Sequence, residues 1–197
     1  MIAILASISA AAAGGLRIAL PLLVIGFARN MYFWEQVPLL SRINPQVLLG
    51  ILVSWTLCEL FLAKNLLGQR IQQTIQIGFS PLAGGILGSA VALNFGLERF
   101  TVVILGLLGA AIALVLQLVQ SGWFFRLRGL PLWFNLAEDI LCISLVLLAF
   151  DAPTQGGIIA LLLLWLALRS SAAWRYWYVQ QAAGPGDDPR AGKSAPD

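Results

Sequence analysis

Six stretches of the chain are almost continuously apolar: residues 4–28, 45–66, 81–97, 100–121, 131–150 and 154–174. An α-helix rises about 1.5 Å per residue, so about 20 residues cross the roughly 30 Å hydrocarbon layer of a membrane. The pattern therefore predicts an all-α fold, a polytopic transmembrane helical bundle of about six spans within an integral membrane domain over residues 1–179. Between the second and third stretches, Gln69, Gln72, Gln73 and Gln76 recur at helical spacing opposite Leu67, Ile71 and Ile75. A polar and an apolar face on one helix predict an amphipathic helix lying flat in the cytoplasmic interface. A re-entrant hairpin with a Gln-lined inner face is the alternative, weakened by the need to bring Arg70 inward. Residues 180–197 are polar and rich in Gly and Pro, which predicts a disordered cytoplasmic tail.

Lys and Arg collect in cytoplasmic loops. With the N-terminus inside, eight of them (Lys64, Arg70, Arg126, Arg128, Arg169, Arg175, Arg190, Lys193) fall on the cytoplasmic side and three (Arg29, Arg42, Arg99) outside. The expectation is a multi-pass protein of a bacterial-type inner membrane, or a thylakoid-like one, with N and C termini cytoplasmic. Aromatic clusters at 31–34, 123–125, 133–134 and 174–178 fit anchors at the headgroup level.

Composition agrees. Hydrophobic residues make up 59% of the chain and charged ones 11%, with mean hydropathy +0.86, against roughly a quarter charged in soluble domains. The basic residues are scattered, so the net charge of +3 implies no nucleic-acid partner. The lipid bilayer is the expected partner, with a homo-oligomeric or membrane-protein contact as a further option. Histidine is absent, and no phosphate loop or nucleophile elbow is present. No enzyme, no cofactor and no metal site is expected. Cys58 and Cys142 lie inside apolar runs, as small core hydrophobes do.

Charges inside spans cost about 2.5–3.5 kcal/mol each on insertion scales and therefore need a reason. The candidates for a polar recess or ion-binding site are Arg17, Glu59, Lys64, Glu138 and Asp139, with Gln117 and Gln120 at the same level. Asn44 and Pro45 read as cap and first residue of the second span. Asn135 with Glu138 fits a capping box, but a helix begun at Leu136 and ended at Phe150 covers only about 22 Å. Either Leu130–Phe134 also enters the bilayer or the cap sits in a recess below its surface. Glu59 needs a partner on another helix or is protonated. Arg17 follows Gly14 and Gly15 and precedes Pro21, a grouping that predicts a bent or broken helix. Pairing of Arg17 with Glu59, Glu138 or Asp139 is the economical expectation. "PLAGGI" at 81–86 and "PTQGGI" at 153–158 open the third and sixth stretches alike and raise an architecture of two inverted three-helix halves. Pro81, Gly84 and Gly85 are helix-break or packing candidates.

The ordered motifs "GLRIALPLL" (15–23), "ELFLAK" (59–64), "SPLAGG" (80–85) and "NLAED" (135–139) resemble the uncharacterised membrane family numbered 4126 among the domains of unknown function. The resemblance covers the chain to about residue 175. It implies a polytopic membrane protein and supplies no activity. In the family pattern an Asp precedes the Lys matched by Lys64 and a Pro follows it, where this chain has Ala63 and Asn65. The functional expectation is a small permease or channel-like protein with a cytoplasm-facing Arg/Glu/Asp recess; the alternative is a scaffold or assembly factor whose charges only lock helices together.

Overall fold

The computed structural model describes residues 1–29, 40–62, 66–127 and 132–182. Its helices are α1 (Ile2–Leu16), α2 (Ala19–Arg29), α3 (Pro45–Leu62), α4 (Leu66–Asn94), α5 (Arg99–Leu127), α6 (Leu132–Asp151) and α7 (Pro153–Ala182), with a single 3-10 turn at Leu40–Arg42. There is no strand among the described residues. Four helices, α4 to α7, are long and apolar enough to cross a membrane, and α1, α2 and α3 are shorter apolar helices. Large side chains such as Phe61, Phe100, Leu107 and Leu162 are exposed on the outer faces, as lipid-facing positions require.

Local chemistry fixes several boundaries. The Asn44 side chain accepts a hydrogen bond from the Gln46 N–H at 3.0 Å, capping α3 with Pro45 at its first position. At the end of α4 the Leu97 N–H donates to the Ala92 carbonyl (3.2 Å) and the Gly96 N–H to Leu93 (2.9 Å). This closure needs a left-handed residue, supplied by Gly96 at φ 69°. Leu97 then packs beside Ala92, Val102 and Leu105 and fixes the α4–α5 turn. Pro153 opens α7 after one non-helical residue, Ala152, so α6 and α7 form a tight hairpin.

At the centre stands α1, packed against α4, α5, α6 and α7. Its run of small residues makes this close approach feasible. Ala6, Ser7 and every residue from Ser9 to Leu16 are buried. A Cβ added to Gly84 would meet the Ala113 side chain and the Gly109 carbonyl (2.7 Å), and one on Gly109 would meet the Gly84 carbonyl (2.6 Å) and Ala11 (2.9 Å). The small residues thus let three backbones approach where lipid-like side chains alone would give little net attraction. Two polar contacts tie α1 to α6: Ser9 Oγ donates to the Leu145 carbonyl at 2.7 Å, and Cys142 Sγ to that of Ala13 at 3.5 Å.

Several expectations are corrected. The predicted first span of 4–28 is two helices, because Arg17 is extended (φ −137°, ψ 146°) and Ile18 bends. The interfacial helix does not exist as a separate element: residues 66–94 form one continuous helix through Pro81, and its glutamines face inward while Leu67 and Ile71 are exposed. Arg70 is exposed too, off the buried amide face, which removes the objection to an inward glutamine stripe. The capping-box reading of Asn135 fails because α6 starts at Leu132, giving 20 residues and about 30 Å. Pro81 stands in the middle of α4 while Pro153 begins α7, so the two similar motifs occupy unlike places and lend no support to inverted halves.

Register also bears on the termini. Leu5 meets Gly157 at the start of α7, and Trp123 bonds Ser170 towards that helix's other end. Ile2 therefore lies at the Pro153 end of α7, opposite Ala182. Gly14 packs on Gly84 and Leu87, and Glu59 meets Gln76, so α4 runs against both α1 and α3 and Pro45 starts at the Met1 end. Met1 and Pro45 thus lie towards the same end of the bundle. Lys64 and most of the predicted tail, 183–197, lie outside the described residues.

Candidate functional site: a buried arginine at a helix break

Arg17 sits where α1 stops. A helix C-terminus carries partial negative charge, so a guanidinium there is favourably placed. Pro21 falls in the first turn of α2, where its missing N–H leaves no intrahelical bond unmade. About 22 Å of helix separates Met1 from Arg17, and about 9 Å separates Leu132 from Glu138. The arginine therefore lies far from the Met1 end of the bundle and under two turns from its Leu132 end.

Its partners come from α6. Arg17 Nε donates to Asp139 Oδ1 at 2.7 Å, and its Nη2 lies 3.9 Å from Glu138 Oε2. The Arg17 side chain is 7% exposed, Glu138 10% and Asp139 32%. Adjacent residues on one helix differ in azimuth by about 100°, so Asp139 looks partly outward while Glu138 turns into the bundle. The other oxygen of Glu138 accepts from Gln120 Nε2 of α5.

Glu59 belongs to the same electrostatic group but makes no ion pair with Arg17 within 4 Å. Its Oε1 accepts from Trp55 Nε1 at 2.8 Å, one turn earlier on α3, and from Gln76 Nε2 at 3.5 Å. From there an amide chain continues inward. Gln117 Nε2 donates to Gln76 Oε1 (3.3 Å) and to Gln73 Oε1 (3.1 Å), and Ser121 Oγ also donates to Gln73 Oε1 (2.8 Å). Gln72, Gln76, Gln117 and Ser121 are all buried. Gln73, Gln76 and Gln117 thus bond one another, as groups out of reach of water must. A small recess opens among Arg17, Gln72, Gln73, Gln76, Asn135 and Glu138; its volume of about 10 Å³ is on the scale of a single water.

Of the residues singled out from the sequence, Arg17, Glu138, Asp139, Glu59 and Gln117 are brought into one region. Gly14, Gly15, Gly84 and Gly85 pack the α1–α4–α5 contact beside it, with Ala113 only 2.7 Å from a Cβ on Gly15. Sequence reasoning missed Trp55, whose signal was its i, i+4 spacing to Glu59, and Ser121. It also assigned Gln73 and Gln76 to the membrane surface.

Chemically, the site combines one permanent cation, three carboxylates and a ladder of neutral amides. That is more carboxyl groups than cations in low-dielectric surroundings, suited to a proton or a small cation more than to an anion.

A family profile described as "Domain of unknown function (DUF4126)" matches residues 4–173, and the chain belongs to that family. No curated protein and no solved structure gives a significant match.

Proposed function

We propose that this protein is a small permease or channel-like protein of a bacterial-type inner or thylakoid-like membrane, moving protons or a small cation without covalent catalysis. The observation that supports this most is Arg17: an interrupted helix ends inside the bundle on a buried arginine, beside carboxylates that outnumber it. Interrupted helices with exposed termini at depth are a common way for membrane proteins to build ion sites. The amide ladder adds a second support. Gln76, Gln73 and Gln117 line a continuous polar path between Glu59 and Ser121, along which a water or a small cation finds hydrogen-bonding groups without a wide pore. A recess of single-water size favours the proton over a hydrated ion.

The test is flux in sealed vesicles. Purified protein reconstituted into liposomes, with a pH-sensitive dye inside and an imposed proton gradient, is expected to collapse the gradient faster than empty liposomes. Glu59→Gln, which keeps shape and hydrogen-bond capacity but loses the charge, is expected to slow this at least tenfold. Parent protein no leakier than empty liposomes to protons, Na⁺ or K⁺ refutes the proposal. That outcome favours a scaffold, a reading supported by the close Gly84–Gly109 packing and by the partners each carboxylate already has.

A further inference from the structure

Two helices face each other across the recess beside Arg17. Gln72 and Gln76 stand one turn apart on α4, Asn135 and Glu138 one turn apart on α6, and all four line it together with Arg17 and Gln73. These polar side chains are not equally satisfied. Gln73 Oε1 accepts from both Gln117 and Ser121, which fills the two lone pairs of an amide oxygen. Gln72, by contrast, is only 7% exposed and makes no hydrogen bond among the described residues, and half-buried Asn135 makes none either. A buried amide without a partner is costly, and here two of them border one void.

Glu138 adds a charged oxygen. Its Oε1 accepts from Gln120, while its Oε2 meets Arg17 only at 3.9 Å and the Arg17 Nε is engaged by Asp139 at 2.7 Å. A carboxylate has about four acceptor sites, so Glu138 retains capacity. Unused oxygen thus gathers around a volume of about 10 Å³, room for one guest of water size. Charge decides which guest. With both acids of α6 ionised, Arg17 balances one of them and a guest with a single positive charge balances the other, whereas a water leaves it unbalanced and an anion meets Glu138 on the wall. Divalent ions favour several carboxylates, and no group of three or more Asp, Glu, His or Cys able to hold a metal occurs among the described residues.

We infer that the recess is a binding site for one dehydrated alkali-metal cation, held by Glu138 and by the amide oxygens of Gln72 and Asn135. Carboxylate and amide oxygens are hard ligands that can replace the water shell of such an ion. Neither amide has a hydrogen bond fixing which end faces the void, so both can turn their oxygen to the guest. Without its shell the ion fits a space that a hydrated one does not. It sits against Gln73 and Gln76, where the amide path begins. The inference names the ion of the proposed path, and rests on that reading for passage but not for binding.

The test is thermal unfolding of the full-length protein in detergent, followed by tryptophan fluorescence, in LiCl, NaCl, KCl or choline chloride at equal ionic strength. At least one alkali chloride is expected to raise the midpoint by about 5 °C over choline chloride, saturating with concentration. Replacing chloride with gluconate is expected to change nothing. Gln72→Leu, which gives up no hydrogen bond of the fold, is expected to weaken the apparent affinity at least tenfold, and Asn135→Leu likewise; Glu138→Gln is expected to abolish the shift. The Gln72 variant decides the matter if Glu138→Gln does not fold. Equal midpoints in all four salts would mean that the recess takes only water, a chloride-dependent shift would assign it to an anion, and a shift untouched by Gln72→Leu and Asn135→Leu would place the ion elsewhere; each overturns the inference. Vesicles without flux, beside a cation-specific shift lost in the variants, would refute the conduction reading and leave the binding site standing.

Discussion

Replacing Arg17 with Met removes a charge while keeping much of the side-chain volume, and its consequence can be worked from the surroundings. Glu138 is 10% exposed and Glu59 6%, so neither can regain water easily when the guanidinium goes. Breaking a buried pair by removing one partner costs about 3–5 kcal/mol, because an uncompensated charge stays behind. Asp139, at 32% exposure, keeps solvent on one side. Asp139→Asn should therefore cost only about 1 kcal/mol, in the range of screened pairs, even though it carries the shorter contact. Arg17→Met combined with Glu138→Gln removes charge from both sides and should recover about 2 kcal/mol of the Arg17→Met loss. Unfolding of the parent, these three variants and Glu138→Gln alone in mixed micelles with increasing sodium dodecyl sulfate, followed by tryptophan fluorescence, gives the five free energies. If Arg17→Met lies within about 0.5 kcal/mol of the parent, or the double variant is simply additive, the buried charges are not coupled and the site described above does not exist as a unit.

Three further outcomes are expected. Gly84→Ala forces a methyl into the Ala113 side chain and the Gly109 carbonyl, and should lower stability by about 1–3 kcal/mol in the same micelle titration, while Gly50→Ala, where nothing lies within 4 Å, should change it by less than about 0.5 kcal/mol. Cys142, fully buried and bonded to the Ala13 carbonyl, should resist a membrane-permeant maleimide until the protein is unfolded, whereas exposed Cys58 should react in the folded state; rapid labelling of Cys142 would contradict the α1–α6 contact. Epitope tags at Met1 and at the C-terminus should be protected from protease on opposite sides of sealed vesicles, and protection of both on the same side would contradict the register of α1 against α7.

What could be read from the sequence divides along a physical line. Signals that act on neighbouring residues carried through: Asn44–Pro45 starts α3, and Gly14, Gly15 and Pro21 surround a real break. The charged positions were legible as well, because the cost of placing Arg17 or Glu59 in an apolar run is a property of the run. Signals that depend on which face meets which solvent did not carry through. The period of Gln69, Gln72, Gln73 and Gln76 is helical, as expected, but a period says only that two faces differ. In water the polar face turns out; inside a membrane domain it turns in, where Gln117 and Ser121 complete its bonds. Asn135 failed for a related reason, since a cap pattern is informative only if the helix starts there, and Leu132 to Phe134 are apolar enough to extend it.

The break inside the first apolar stretch escaped because hydropathy cannot see backbone geometry. Residues 4–28 are apolar on both sides of Arg17, so any window across them reads as one span. Only the extended φ and ψ of Arg17 show that the helix ends there. The same break explains why the arginine stands where it does. A continuous helix would deliver Arg17 as a side chain on a lipid-thick rod, with its carbonyls all bonded internally and no terminus to meet it. Ending α1 there instead sets the negative end of a dipole beside the cation, and α6 brings Asp139 and Glu138 to the opposite side of it. Each element then needs the others: without the carboxylates the arginine is too costly at that depth, and without the small residues of α1 the four surrounding helices could not close on them.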